Sequence, residues 1–450
     1  MWREVYSRLY FHVLYPLSEI RVPRAGKSRR ILRLLEKTQY WPAERLERFQ
    51  LLALRRLLWH AYVNCPYYRH CFDEAGFHPE QLVSVEDLEA LPTIDKEVLR
   101  EHREEMAAAN LRHRRRLSNT GGSTGKPVQF YIHSQLEKAW AAASAYRGYA
   151  WYGFRRGMPM VYFWSSPIDM KKPVNWKVRL HRKLAREYFL DAFRLDEQRM
   201  AELTALLKRL PAPFLKGYPS AIYHYALHLE ARGVRPPALQ AIFTTGETLL
   251  PLHRQKIEQV FAVPVADFYG QRETNALFFQ CPVSGLYHVN SESVVAEVLP
   301  VDGAQDNCGE LLITDLRNLA QPFIRYRTGD LVVPAPEPCP CRRPLPVFEK
   351  IVGRKNETIL LRNGRLLIPT LFPHFFKDIV AVKQFQVHCV EGRLLEVRIV
   401  PAGRWSRAVA RKIQQSLQPI AGQGVEIRVK KVKHIDPLPS GKTQYVSQVQ

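Results

Sequence analysis

Apolar residues recur at three- and four-residue intervals through most of residues 1–75, above all in RILRLLEKTQYWPAERLERFQLLALRRLLWHAYVNCPYYRH, and this spacing predicts amphipathic helices. Pro42 interrupts the pattern and Pro66 ends it, since a helix interior has no place for a residue without an amide proton. Short helical pieces continue to residue 110, with a break at Pro92 and Thr93. Beyond them the period changes. PVQFYIHS alternates as a strand does, and LEKAWAAASAYRGYAWYG reads as a helix ending near Gly153. Short apolar runs at residues 158–164, 212–218, 239–246 and 264–270 read as buried strands, with helices such as MAELTALLKRL and LLPLHRQKIEQVF between them. That alternation predicts an α/β fold with parallel strands. ESVVAEVLP, GELLITDL and QPFIRYRTGDLVVP follow as a more antiparallel region, and PAPEPCPCRRPLP reads as loop. The tail after IVGRKNETI is a compact α+β segment. The expected organisation is therefore a large N-terminal domain with parallel and mixed sheets, residues 1–352 with a helical opening at 1–110, and a small α+β domain, residues 353–450.

Composition changes this picture little, and charge changes it more. Apolar residues at 46% and charged residues at 24% are ordinary for a globular chain. The 66 Lys and Arg outnumber the 43 Asp and Glu, with runs at RHRRR, KVRLHRKLAR and RVKKVKH. Such a field favours anionic partners: nucleotides, coenzyme A or a membrane surface. Each run is equally well a solvated basic face. No zinc-finger, RRM or basic-zipper pattern occurs, which argues against specific nucleic-acid recognition. No apolar run is long enough to span a bilayer, and no cleavage site follows the aromatic opening MWREVYSRLYFHVLYPL. A cytoplasmic protein is expected, its basic N-terminus able to lie at the inner membrane surface. Oligomeric state, a homodimer included, is left open.

Seven cysteines without a secretion signal predict reduced thiols or a metal site, not a disulfide framework. Cys281 and His288 lie seven apart, and Cys339 and Cys341 flank one proline. Three thiolates and one imidazole make a closed tetrahedral zinc site, with Cys308 as an alternative ligand. Buried unligated cysteines are the plainer reading, and it is the one given to Cys65, Cys71 and Cys389.

The stretch SNTGGSTGKPVQFY crowds backbone amides, hydroxyls and one lysine into a turn suited to phosphate. It does not fit a P-loop: Gly121 and Gly125 lie four apart, and Lys126 is followed by Pro127 instead of a hydroxyl. TGGSTGKP instead resembles the phosphate loop of the adenylate-forming superfamily. FYGQRE, RYRTGD, VGRKNETI and LPSGKTQYV resemble four further motifs of that superfamily, in the right order. NCPYYR and GYPSAI, with the chain length, point to its phenylacetate–CoA ligase and CapK-like branch.

That resemblance implies ATP-dependent activation of a carboxylic acid as acyl-AMP, with magnesium, and transfer to a thiol such as coenzyme A. A CapK-like alternative gives the acyl group to a sugar, amine or carrier protein in cell-surface polysaccharide synthesis. A second alternative is AMP transfer to a cofactor, and a third is a non-catalytic membrane-binding module. By resemblance, Thr120, Gly121, Gly122, Ser123, Thr124, Gly125 and Lys126 hold phosphate, and Thr245, Gly246 and Glu247 border the adenine. Tyr269, beside Gly270, stacks on the adenine, and Glu273 helps to bind magnesium. Asp330 takes both ribose hydroxyls, Arg354 makes a second ribose or phosphate contact near a hinge, and Lys442 is the catalytic lysine. Two residues depart from the pattern. Arg272 stands where a threonine is usual, and Asn356 where the hinge is usually acidic. Trp164, Tyr218 and Phe243 either line the acid pocket or belong to the core.

Overall fold

The helical opening forms where the spacing places it. The computed structural model describes residues 2–14, 23–119, 128–133, 136–164, 176–192, 195–301, 307–355, 359–363, 366–367, 371–376, 379, 381–436 and 445–449. Helices Pro23–Thr38, Ala43–Asn64 and Pro66–Glu74 follow one another. Pro42 stands just before the second and Pro66 is the first residue of the third. Each proline thus begins a helix, where its missing N–H is one of the four that lack an intrahelical partner anyway. Leu54, Leu57, Leu58, Ala61, Tyr68 and Phe72 pack inward against Phe130, Phe323 and Tyr326. Each of the leucines and phenylalanines contributes about 1.5–3 kcal/mol of burial, enough to fix this bundle to the sheet that carries the site.

The basic run at residues 112–116 leads into an element the period did not signal. Strand β1 (Arg115–Asn119) pairs antiparallel with β2 (Gln129–His133). The glycine loop, residues 120–127, connects them and lies outside the described residues. The hairpin is tied down by Tyr131, whose amide donates to Gln321 Oε1 at 2.7 Å and whose carbonyl accepts from Asn318 Nδ2 at 3.0 Å.

Eleven strands form the main sheet: β3 (Met160–Phe163), β4 (Glu187–Leu190), β5 (Phe214–Gly217), β6 (Ile242–Thr244), β7 (Val265–Gly270), β8 (Leu277–Gln280), β9 (Tyr287–His288), β10 (Val294–Pro300), β11 (Gly309–Asp315), β12 (Tyr326–Pro334) and β13 (Val347–Arg354). Their order is β10-β11-β12-β13-β9-β8-β7-β6-β5-β3-β4. The β4-β3-β5-β6-β7 half is parallel and the remainder antiparallel, as the sequence predicts. Strand β4 was not predicted; its residues follow the run KVRLHRKLAR, which folds as helix Trp176–Ala185.

Side-chain alternation along the parallel strands separates two cores. Val161, Phe163, Leu215, Ile242 and Val265 face helices Glu197–Arg209, Pro219–Ala231 and Pro251–Phe261. Met160, Phe214, Phe243, Ala266 and Phe268 face helix Leu136–Trp151. That helix sits tight on the sheet: a Cβ on Gly148 would fall 2.1 Å from the Phe279 ring.

The tail builds a hairpin of β14 (Ile359–Leu360) and β15 (Leu366–Leu367), then a four-stranded sheet. Its strands are β16 (Val382–Val390), β17 (Leu394–Pro401), β18 (Glu426–Lys431) and β19 (Val446–Val449), in the order β18-β17-β16-β19. Helix Arg407–Ala421 covers it through Ile413, Leu417 and Ala421. The buried residues of this core all lie between Ile359 and Val446.

Candidate active site

Most of RYRTGD is architecture that presents its last residue. The buried Arg325 donates to Glu297 Oε1 at 2.9 Å and to the carbonyls of Glu89 and Leu91. Arg327 pairs with Glu310 at 2.6 Å, and Thr328 donates to the Leu311 carbonyl while accepting from the Asp330 amide. Asp330 is then held at one place on β12. Its Oδ2 accepts from Tyr269 Oη at 2.7 Å and from Gln271 Nε2 at 2.9 Å, and its Oδ1 meets Arg354 Nε at 2.9 Å. Three sequence-predicted residues, Tyr269, Asp330 and Arg354, therefore converge from the ends of β7 and β13 and the middle of β12. Burial, then the Asp330 charge, keeps the Tyr269 hydroxyl protonated well above its ordinary range. The ring lies on Phe278, with centroids 5.1 Å apart.

Gln271 and Lys96 belong to this cluster and were not singled out from the sequence. Residues 94–96 run beside β12, with the Ile94 amide bonded to Arg325 O and its carbonyl to Arg327 N. Asp95 caps helix Lys96–Glu101 through the amides of Glu97 and Val98. Burial and the Arg354 charge lower the Lys96 pKa, while the carboxylates of Glu273 and Asp330 oppose them. The cluster thus gathers two cations and two carboxylates at one end of the sheet. Glu273 accepts from its neighbour's amide, Arg272 N, at 3.1 Å.

The parallel half supplies a second wall. The chain runs from β3 to β4 on one side and then to β5 on the other, so its direction of travel across the sheet reverses between β3 and β5. A crevice at the carboxyl ends of such strands is the usual ligand position in open α/β sheets. Trp164 and Tyr218, the residues just past β3 and β5, stack there with centroids 4.1 Å apart. Gly246 closes on them with φ +83°, and a Cβ at that position would approach Trp164 and Tyr218 to 3.0 and 3.1 Å. Glycine satisfies both the left-handed backbone and the contact. Thr245 is buried, its amide bonded to Gly217 O. Glu247 Oε2 accepts from Ser220 N, in the first turn of helix Pro219–Ala231. Phe243 is fully buried among Tyr149, Phe214 and Phe279, in the aromatic core below the crevice.

The four expected metal ligands also meet. The donor atoms of Cys281, His288, Cys339 and Cys341 all lie within 4.8 Å of one another. Cys281 and Cys339 sulfurs are 3.6 Å apart, and His288 Nε2 is 3.1 Å from Cys341 Sγ. Two Zn–S bonds of about 2.3 Å at a tetrahedral angle would separate the sulfurs by ~3.8 Å, so the donor set fits zinc. His288 Nδ1 faces the Leu345 carbonyl at 3.4 Å, the outer contact that orients a ligating imidazole. Cys308, the alternative ligand, lies instead in an apolar cluster with Leu331, Val333 and Val352.

Thr120 to Lys126, Asn356 and Lys442 lie outside the described residues. The nearest described residue after Lys442 is Tyr445, which has Glu247 and Tyr223 as electrostatic neighbours. The start of β19 is thereby beside the turn that follows β6.

No family model matches the chain. It is 28% identical over 375 residues to a phenylacetate-coenzyme A ligase of Pseudomonas putida, covering 79% of this chain and 81% of that one. It is 24% identical over 372 residues to protein CapK of Staphylococcus aureus, covering 81% and 80%. Among solved structures, 2-hydroxyisobutyryl-CoA ligase in its postadenylation state superposes with a TM-score of 0.71 at 21% identity, over 92% of this chain and 93% of that one. The anthranilate CoA ligase AuaEII gives 0.52 at 14% identity, over 73% and 65%. The family resemblance and the fold class expected from the motifs are both borne out.

Proposed function

We propose, from the premise that this chain is an adenylate-forming enzyme similar to phenylacetate–CoA ligases and CapK, that it activates a carboxylic acid with ATP and passes the acyl group to the thiol of coenzyme A. The observation that carries the reading is the convergence of Tyr269 and Gln271 at the end of β7, and Arg354 at the end of β13, on Asp330 in the middle of β12. A carboxylate already collecting donors in a protein crevice is suited to exchange some of them for two vicinal ribose hydroxyls.

A carboxylate needs its oxygen made into a leaving group before a thiol can attack. In this reading the carboxylate oxygen attacks the α-phosphorus of ATP, the bond to the bridging oxygen breaks, and pyrophosphate departs. The thiolate then attacks the acyl carbon, and AMP leaves with the bonding electrons. The protein's share of the first step is positioning and charge neutralisation. Asp330 would fix the ribose, Lys126 and its glycine loop the phosphates, and Lys442 the charge that develops between carboxylate and α-phosphate. Glu273 offers one half-buried carboxylate, which suits magnesium because that ion takes few protein ligands and completes its shell with water and phosphate. Magnesium there would neutralise phosphate charge. Arg272 would bring a charged fork where relatives carry a hydroxyl. Residues 353–450 would form the mobile domain, turning near residue 354 to bring Lys442 in for the first step and away for the second.

Pyrophosphate release with a panel of aryl and aliphatic acids, with and without coenzyme A, tests the whole reading. Acid-dependent release and a coenzyme A thioester detected by mass spectrometry are expected. An adenylate that forms but is discharged only by a sugar, amine or carrier protein would favour the CapK-like alternative. Labelling of a cofactor with AMP in the absence of any acid would favour nucleotidyl transfer.

The sulfur and imidazole cluster is read as a structural zinc site joining the loop after β8 to the one after β12. About one zinc per chain is expected in protein purified without chelator, falling well below half in Cys341→Ser, with a lower melting temperature. Metal-free protein with an unchanged melting temperature would refute it.

Membrane contact is read from exposed apolar residues. Val5, Leu9 and Val13, at four-residue spacing, and Trp176, Val178 and Leu180 are all exposed, and helix Trp176–Ala185 also carries Arg179, Arg182 and Lys183. Cosedimentation with phosphatidylglycerol vesicles at low salt is expected, lost at high salt. Equal capture by neutral vesicles would sink the idea.

A further inference from the structure

The aromatic core below the crevice borders an ammonium group that the nucleotide reading does not use. Lys216, on β5, lies in register between Tyr162 of β3 and Phe243 of β6. Its Nζ donates to the Tyr149 hydroxyl at 2.7 Å. It sits over the rings of Phe268, Tyr149 and Tyr162, at 4.7, 5.3 and 5.6 Å from their centroids. An ammonium carries three donors. Among the described residues Tyr149 is its one hydrogen-bond acceptor, and no carboxylate pairs with it. Glu187 acts on it only at longer range, and burial brings its pKa down to about 8. A cation enclosed without a counter-ion is costly to keep. Lys216 and Tyr162 nevertheless retain some surface open to water, although sheet and helix Leu136–Trp151 enclose them.

The position of this group on its strand gives the direction of the argument. Tyr218 follows two residues later, just past the carboxyl end of β5. At a rise of about 3.3 Å per residue, Lys216 sits ~7 Å below Tyr218 along the strand direction. It is thus too deep for the carboxyl that reacts with ATP, and well placed for the opposite end of the same molecule.

We propose that Lys216 is a specificity residue that binds the far end of the acid, which therefore carries a second oxygen-bearing group, carboxylate or hydroxyl, about 7 Å from the carboxyl that is activated. The aromatic rings around the ammonium accept the carbon skeleton between the two groups. The inference rests on the ligase reading and narrows its substrate class.

Two matched pairs test it: adipate against hexanoate, and 4-hydroxyphenylacetate against phenylacetate, each assayed by ATP-dependent pyrophosphate release with the full chain. A charge-assisted hydrogen bond is worth a factor of about 10 to 100, so wild-type kcat/KM should favour the polar member of at least one pair by that factor. Lys216→Met should reverse the preference mainly through KM, leaving the KM for ATP in place. Lys216→Gln preserves a donor to Tyr149 Oη should the methionine variant misfold, and it should lose the dicarboxylate while keeping part of the hydroxyl preference. Release with the apolar acids but no advantage for either polar one overturns the inference and leaves the ligase reading standing. A preference that survives in Lys216→Met overturns it too. No release with any of the four acids removes the ligase reading on which it rests.

Discussion

Asp330→Asn is expected to raise the KM for ATP by about 10- to 100-fold, the worth of one or two charge-assisted hydrogen bonds, while lowering kcat much less. The reason is where the charge sits. The Asp330 side chain is 7% exposed and that of Arg354 is 30% exposed, so the pair is only half shielded from water. Asparagine keeps the shape and one acceptor, so Tyr269 and Gln271 retain a partner and the strand pairing through β12 and β13 is undisturbed. It removes the negative charge that Arg354 faces, together with the second acceptor oxygen a ribose would use. Tyr269→Phe, which deletes one hydroxyl and leaves the carboxylate, should have a smaller effect. Direct ATP titration separates binding from turnover, and a thermal melt shows whether the fold has survived. Unchanged ATP affinity in a folded Asp330→Asn protein would remove the ribose assignment and, with it, the convergence on which the functional reading stands.

How much of this was legible beforehand depended on whether the signal was periodic. Strands β3, β5, β6 and β7 could be read because they are short apolar runs between helices of 3.6-residue period, buried on both faces. Strand β4 could not. Its residues Glu187–Leu190 sit at the sheet edge, are only partly buried, and follow a stretch whose charge hides its helical face. Strand β1, Arg115–Asn119, is similarly disguised by arginines that lie on a solvated hairpin. Edge position loosens the link between burial and sequence that makes other strands visible.

The candidate site divides the same way. Asp330, Tyr269 and Arg354 were found because each lies in a recognisable motif, yet the sequence could not say that Arg325 and Arg327 of RYRTGD are structural while Asp330 faces the crevice. That distinction needs the partners: Glu297, Glu310 and the two backbone carbonyls. Gln271 lay inside FYGQRE and was passed over because an amide carries no charge to draw attention. Lys96 had no motif at all; only the bridge between Ile94 and Tyr326 brings it to Asp330, 234 residues along the chain. Lys216 directly precedes GYPSAI and reads as one lysine among many, and its enclosure by aromatic rings is a tertiary fact that no local pattern carries. The metal cluster was half legible. Cys-Pro-Cys announces a chelating pair, but the choice between Cys281 and Cys308 as the third sulfur rests on which strand passes β13: β9, following Cys281, pairs with it.

Lys442→Ala should cost about 10²- to 10³-fold in acid-dependent pyrophosphate release, by analogy with the loss of one preorganised oxyanion donor, while ATP affinity changes little. Its cation would act only once negative charge gathers between the attacking carboxylate and the α-phosphate, so the ground-state complex has little to lose. The same argument separates the two half-reactions. A supplied acyl-adenylate already contains the bond this lysine would help to form, so its conversion to the thioester should continue at near wild-type rate in Lys442→Ala. Asp330→Asn should weaken both halves, because in the proposed reading AMP would be held by its ribose in each. Measuring pyrophosphate release and thioester formation side by side in the two variants therefore yields a pattern that a merely destabilised protein would not give. If Lys442→Ala instead slows both steps alike, the lysine is part of a nucleotide-binding surface and the first step must draw its neutralising charge from elsewhere, with Lys96 and Arg354 the cations already gathered at Asp330.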